Sequence, residues 1–290
     1  MNGIIRSIKD YFSLVKFSHT VFAMPFAIIG FSLATSRDGQ QFSLKLLLLI
    51  VLCMVFARNA AMGFNRFADK KYDALNPRTA SREIPSGKIN TKAASLFVLI
   101  NAILFIITTG FINLLTLILS PVALLVILGY SLTKRVTVLC HFILGLCLSL
   151  APIGAYISVT GKFKLIPIIY SLIVLTWVSG FDIIYALQDD DFDRTNKLYS
   201  IPSFTGRKKS IAISIIVHLI TFLLVITAGI VQKAGYIYWA GAAIFSLMLV
   251  YQHLIINPKD ISRVNLAFAT TNGLASIIYA IFVINDLLLL

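Results

Sequence analysis

The stretch Leu165-Ile-Pro-Ile-Ile-Tyr-Ser-Leu-Ile-Val-Leu-Thr-Trp-Val-Ser-Gly-Phe-Asp182-Ile-Ile-Tyr185-Ala-Leu-Gln188-Asp189-Asp-Asp-Phe-Asp193 decides the fold class. It begins as an apolar run of the length a helix needs to cross a hydrocarbon core of about 30 Å. It ends in five carboxylates. A segment with that apolar run spans a bilayer, and its acidic end marks one membrane boundary.

Working outward, similar apolar runs fill the rest of the chain. We read nine spans: 18–36, 43–65, 91–110, 113–131, 138–158, 165–187, 210–231, 235–255 and 265–286. The 290 residues are 58% hydrophobic and 13% charged, with a mean hydropathy of +0.90. So few charges could not cover a soluble domain of this size. The expected fold is all-α, a polytopic membrane protein of about nine helices in a single domain over 1–290. No cleavable signal peptide is expected, because the first apolar run lacks a small-residue cleavage site. Cys53, Cys140 and Cys147 lie in apolar segments and read as packing residues.

Basic residues set the expected orientation. With the N-terminus in the cytoplasm, nineteen Lys and Arg fall on the cytoplasmic side and five outside. That asymmetry obeys the positive-inside rule and accounts for most of the +13 net charge. Basic loops alone do not make a nucleic-acid-binding fold, and no nucleic-acid partner is expected.

Seven of the twelve acidic residues gather in two clusters on that same side. The first reads Asn65-Arg-Phe-Ala-Asp69-Lys-Lys-Tyr-Asp73, the second runs from Asp182 to Asp193. If each helix continues, Asn65, Asp69 and Asp73 share one face, and so do Asp182, Tyr185, Asp189 and Asp193. Carboxylates four residues apart repel, the more so near a membrane. A hard cation with oxygen ligands removes the repulsion, and Mg²⁺ takes one or two carboxylates plus phosphates and waters. Arg and Lys around the clusters suit a diphosphate whose charge is shared by metal and guanidinium. A divalent-cation transporter is the rival from another class. It would more naturally hold its carboxylates at the midplane, in broken helices.

At these residues the chain resembles the UbiA family of intramembrane aromatic prenyltransferases. The family pattern N-D-x-x-D-x-x-x-D is matched at Asn65, Asp69 and Asp73. Its second pattern, D-x-x-Y-A-x-x-D-x-x-x-D, is matched at Asp182, Tyr185, Ala186, Asp189 and Asp193. The runs 77–87 and 130–135 also resemble family segments, so the similarity covers nearly the whole chain. One position departs: the family's Asp after the Asn is Arg66 here. A bacterial branch similar to 4-hydroxybenzoate polyprenyltransferases has this form and includes quinone-pathway members with other acceptors.

The resemblance implies a Mg²⁺-dependent transfer of a polyprenyl group from its diphosphate to an aromatic acceptor, 4-hydroxybenzoate or a related quinone precursor. It implies two Mg²⁺ ions, one per motif, held by Asn65, Asp69, Asp73, Asp189 and Asp193. The partners are then the polyprenyl diphosphate, the aromatic acceptor and the lipid bilayer, with no obligate protein partner. The setting is the inner, cytoplasmic membrane, with a cavity and active site open to the cytoplasm. A futalosine-type menaquinone precursor, a lipid or haem remains an alternative acceptor.

Other residues take expected roles in substrate binding. Arg58 lies inside a span, where a guanidinium is costly unless it faces a polar cavity. It is expected to meet the acceptor's carboxylate or the diphosphate. Lys134 and Arg135 are expected to clamp the diphosphate, with Arg66, Arg78 and Arg82 beside the first motif and the latter two in a lid-like loop. Tyr130 and Tyr185 offer π faces to a cation. Asp182, nearly two turns deeper, is expected to bind metal or hydrogen-bond a phosphate-ordering residue. Lys16 and His19 open the first span. Asp190 and Asp191 are read as solvated, and His141, His218 and His253 as structural.

Overall fold

The computed structural model describes residues 10, 11, 13–15 and 23–289. Lys16 and His19 lie outside the described residues. The described chain is helical, with no strand among the described residues. The helices are α1 (Met24–Arg37), α2 (Leu44–Ala68), α3 (Lys70–Leu75), α4 (Thr91–Gly110), α5 (Leu114–Thr133) and α6 (Cys140–Thr160). They continue with α7 (Leu165–Tyr185), α8 (Asp190–Thr195), α9 (Ile201–Thr205), α10 (Arg207–Val231), α11 (Tyr236–Leu254) and α12 (Asn272–Leu289). A 3₁₀ turn, Ala186–Asp189, joins α7 to α8, and a π-helical turn, Leu266–Thr271, leads into α12.

Eight helices among the described residues are long and apolar enough to cross a membrane, and the protein is a polytopic membrane protein. The first expected span is represented by α1, whose 14 residues begin at Met24. Helix starts follow local chemistry. Asn90 and Asn113 accept the N–H of Ala93 and Thr116 at 2.7 and 2.9 Å, filling donors that lipid could not. Gly161 ends α6 in the left-handed conformation (φ +63), which a side chain would strain.

One half of the bundle is solid. Helices α1, α6, α7, α10, α11 and α12 bury a cluster that includes Phe26, Tyr170, Trp177, Tyr238, Phe245 and Tyr279. Against α6 the other half, α2, α4 and α5, leaves space. Between the halves lies a cavity of about 670 Å³. Apolar side chains of α2, α5, α6 and α7 wall it, while the ends of α2 and α7 and the 134–141 connection line its polar end. Tight helix contact needs small residues: a Cβ on Gly30 of α1 would sit 2.1 Å from the Pro152 carbonyl oxygen of α6.

Candidate active site

The two acidic motifs, more than a hundred residues apart in sequence, line one end of the same cavity. The expected continuous helix through the first motif is interrupted. Helix α2 stops at Ala68, Asp69 leaves helical geometry (φ −90, ψ 6), and α3 starts at Lys70. The Asp69 N–H still reaches the Asn65 carbonyl at 2.9 Å, and the Asp73 N–H reaches Asp69 at 2.8 Å. The four-residue spacing therefore survives the break. In the second motif the helix tightens into the 3₁₀ turn and resumes at Asp190.

Asp69, Asp73, Asp189 and Asp193 each meet an Arg or Lys from outside their own helix. Asp69 Oδ1 accepts from Arg135 Nη2 at 3.1 Å, and Asp69 Oδ2 from Asn65 Nδ2 at 3.1 Å. Asp73 Oδ1 accepts from Arg82 Nη1 at 2.6 Å. Asp189 is gripped by both ends of the Arg78 guanidinium, with Nε at 3.0 Å from Oδ1, and by Asn76 Nδ2 at 3.0 Å. Asp193 Oδ2 pairs with Lys134 Nζ at 2.8 Å and accepts from Ser200 Oγ at 3.0 Å. Burial pushes the Asp69 carboxyl above its ordinary range, against the hydrogen bond from Arg135. Burial would pull Lys134 down, but Asp193 prevails and holds its ammonium above the usual range.

The donor set suits a hard cation. Asp73 Oδ2 in the first motif and Asp193 Oδ1 in the second are buried without a hydrogen-bond partner. An unpartnered buried carboxylate oxygen is costly, and each motif holds one. Among the described residues no three carboxylate, imidazole or thiol groups converge into a cage of their own. That fits Mg²⁺, which completes its octahedron with water and substrate phosphate.

Aromatic rings support the cations. Arg78 lies over the Tyr185 ring at 5.6 Å and donates to its hydroxyl at 3.2 Å, and Arg135 lies over Tyr72 at 5.5 Å. The π turn carries Phe268, which stacks on Tyr185 with centroids 4.1 Å apart. Arg58, Arg66 and Tyr130 all line the cavity, as expected, and Arg66 is buried.

One expectation changes. Asp190 is buried rather than solvated, because Arg207 grips it at 2.7 and 2.9 Å; Asp191 is exposed as expected. Asp182 hydrogen-bonds His141 at 2.7 Å, and both line the cavity. His218 and His253 pair with each other at 2.8 Å outside the cavity lining. Sequence reasoning missed Asn76, His141 and Ser200. Only Asn76 carried a signal, since it follows Asp73 by three residues, one helical turn on.

This end of the cavity is a polar mouth, lined by paired carboxylates and cations, on an apolar chamber. The sequence model of the UbiA prenyltransferase family matches residues 23–285. The chain belongs to the UbiA prenyltransferase family. It is an integral membrane enzyme of the prenyltransferase class. It is 31% identical over 236 residues to the 4-hydroxybenzoate octaprenyltransferase of Aliivibrio fischeri (strain ATCC 700601 / ES114), covering 80% of this chain and 81% of that protein. The corresponding enzyme of Nitrosomonas eutropha is 30% identical over 84% of this chain and 85% of its own. The apo structure of a UbiA homolog from Aeropyrum pernix K1 superposes with a TM-score of 0.83 at 31% identity, covering 92% of this chain and 98% of that one. A UbiA homolog from Archaeoglobus fulgidus, bound to GPP and Mg²⁺, shares the fold at 20% identity, with a TM-score of 0.70 over 95% of this chain and 99% of that one.

Proposed function

We propose that this prenyltransferase moves a polyprenyl group from its diphosphate to an aromatic ring, with 4-hydroxybenzoate or a related phenolic quinone precursor as acceptor. The observation that carries the reading is the pairing at the cavity mouth: two remote acidic motifs, each with an unpartnered buried carboxylate oxygen, interleaved with Arg78, Arg82, Lys134 and Arg135. In the substrate-free enzyme these cations neutralise the carboxylates. When a diphosphate enters, they turn to its oxygens, and the carboxylates are released to metal.

Asn65, Asp69, Asp73, Asp189 and Asp193 are the residues that would hold Mg²⁺, as two ions, one per motif. Mg²⁺ held there would supply Lewis-acid stabilisation of the diphosphate leaving group. Arg78, Arg82, Lys134 and Arg135 neutralise the charge that grows on the leaving diphosphate. Arg66 adds a further cation at the first motif. Tyr130 and Tyr185 face the developing allylic cation, and the apolar walls keep water from it. Arg58, on the α2 face of the cavity, orients the acceptor's carboxylate. Asp182 takes the proton that the ring must lose. The relatives named as 4-hydroxybenzoate octaprenyltransferases support the acceptor class. The distribution of Lys and Arg supports an N-terminus and an active site facing the cytoplasm, in the inner membrane.

The test uses membranes containing the protein, Mg²⁺, a labelled polyprenyl diphosphate and a panel of phenolic acceptors headed by 4-hydroxybenzoate, read by product mass. Adduct that depends on Mg²⁺, Asp69 and Asp189 is the expected result. Folded protein that turns over no donor would overturn the reading.

A further inference from the structure

Five carboxylates line the cavity: Asp69, Asp73, Asp182, Asp189 and Asp193. Four of them face an Arg or Lys, and Asp182 faces His141. The His141 ring is buried, and both its nitrogens are engaged. Nδ1 lies 2.7 Å from Asp182 Oδ2, while Nε2 receives the backbone N–H of Ile201 at 3.2 Å. A backbone N–H can only donate, so Nε2 presents its lone pair. The ring proton is therefore on Nδ1 and is donated to Asp182. A doubly protonated ring would set N–H against N–H.

Asp182 is thus held by a ring N–H whose orientation is fixed from its far side by the Ile201 backbone. The other four carboxylates meet the end of a long Arg or Lys side chain, whereas Asp182 meets a buried ring held at both nitrogens. The anchor extends further. Ile201 is the first residue of α9, and its N-cap, Ser200, forms a capping box with Ser203 and donates to Asp193. Asp182 is tied through His141 to the Ile201 N–H, and the Ser200–Ile201 peptide bond and the Ser200 hydroxyl carry that link on to Asp193.

We propose that His141 is a positioning residue that holds Asp182 as the acceptor of the ring proton; this rests on the function proposed above. As the C–C bond forms between C1 of the prenyl group and the ring carbon, the C–O bond breaks and its electron pair leaves on diphosphate. The ring C–H bond then breaks, its electron pair restores aromaticity, and the proton passes to the Asp182 carboxylate. Without the Nδ1–H donor, Asp182 loses its fixed orientation, and proton removal becomes slow relative to ionisation.

The experiment compares the parent enzyme with H141L and H141N, using geranyl diphosphate and the panel's best acceptor, unlabelled or ring-deuterated. The expected result for H141L is a kcat lower by about 100-fold, the lower end of what a positioned proton acceptor contributes. The KM for donor should stay put, and a primary isotope effect absent from the parent should appear. H141N keeps an amide donor near the Nδ1 position and should recover most of the loss. An H141L enzyme with parental kcat overturns the proposal. So does an equal loss in both variants without an isotope effect, which would make His141 a packing residue. A parent that forms no adduct overturns the underlying function instead.

Discussion

Replacing Arg78 by Met should move metal affinity and diphosphate affinity in opposite directions. Arg78 occupies both oxygens of Asp189, and Asn76 adds a third hydrogen bond to Oδ1. A divalent cation can use this carboxylate only after the guanidinium swings away. A hydrogen bond to an ionised partner is worth about 1.5–3 kcal/mol. The Arg78 side chain is 32% exposed, so solvent screening argues for the low end, about 1.5 kcal/mol. At about 1.4 kcal/mol per tenfold, R78M should bind Mn²⁺ roughly tenfold more tightly than the parent when no diphosphate is present. With Mn²⁺ saturating, the same variant should bind inorganic diphosphate roughly tenfold more weakly, because a phosphate-pairing cation is gone. Calorimetric titration of the purified enzyme in detergent reads both constants without turnover. Weaker Mn²⁺ binding by R78M, or unchanged diphosphate binding, would refute the idea that Arg78 alternates between carboxylate and phosphate.

Other outcomes follow from the same geometry. D73N and D193N each remove a carboxylate that carries an unpartnered oxygen, and each should abolish Mg²⁺-dependent adduct formation while the protein still folds; residual activity near parental would remove these atoms from the metal site. Arg58→Ala should raise the acceptor KM or lower turnover more than it lowers expression, and an unchanged acceptor dependence would dismiss its role. Chelation should stop turnover yet leave the melting temperature of the donor-free enzyme unchanged, since the motif carboxylates are already neutralised by Arg and Lys; a large drop would point to a structural metal. Gly30→Ala should destabilise the α1–α6 contact by about 1–3 kcal/mol, because its Cβ would meet the Pro152 carbonyl at 2.1 Å, and a thermal melt matching the parent would contradict this packing.

Hydropathy was enough to mark out eight of the nine expected spans, and charge to mark out the two acidic motifs that line the cavity. Lipid forces backbone hydrogen bonds into helices, so a long apolar run has little choice of structure. Carboxylates are rare enough in such a chain that two clusters stand out. Arg58 was legible too, since a guanidinium inside a span is costly unless it faces a polar cavity, and it lines the cavity. What the spacing could not show was the break at Asp69, where backbone geometry departs from a regular helix within one residue.

The tertiary structure alone decided the partnerships. Arg78 lies 111 residues from Asp189 in sequence, and His141 lies 41 from Asp182. Sequence reports how many charges a segment carries; which of them meet depends on how the helices pack. The same is true of Asp190, which reads as solvated until α10 brings Arg207 against it. Local periodicity acts over a few residues, whereas a charge inside a low-dielectric bundle is settled by whichever opposite charge folding places within hydrogen-bond reach.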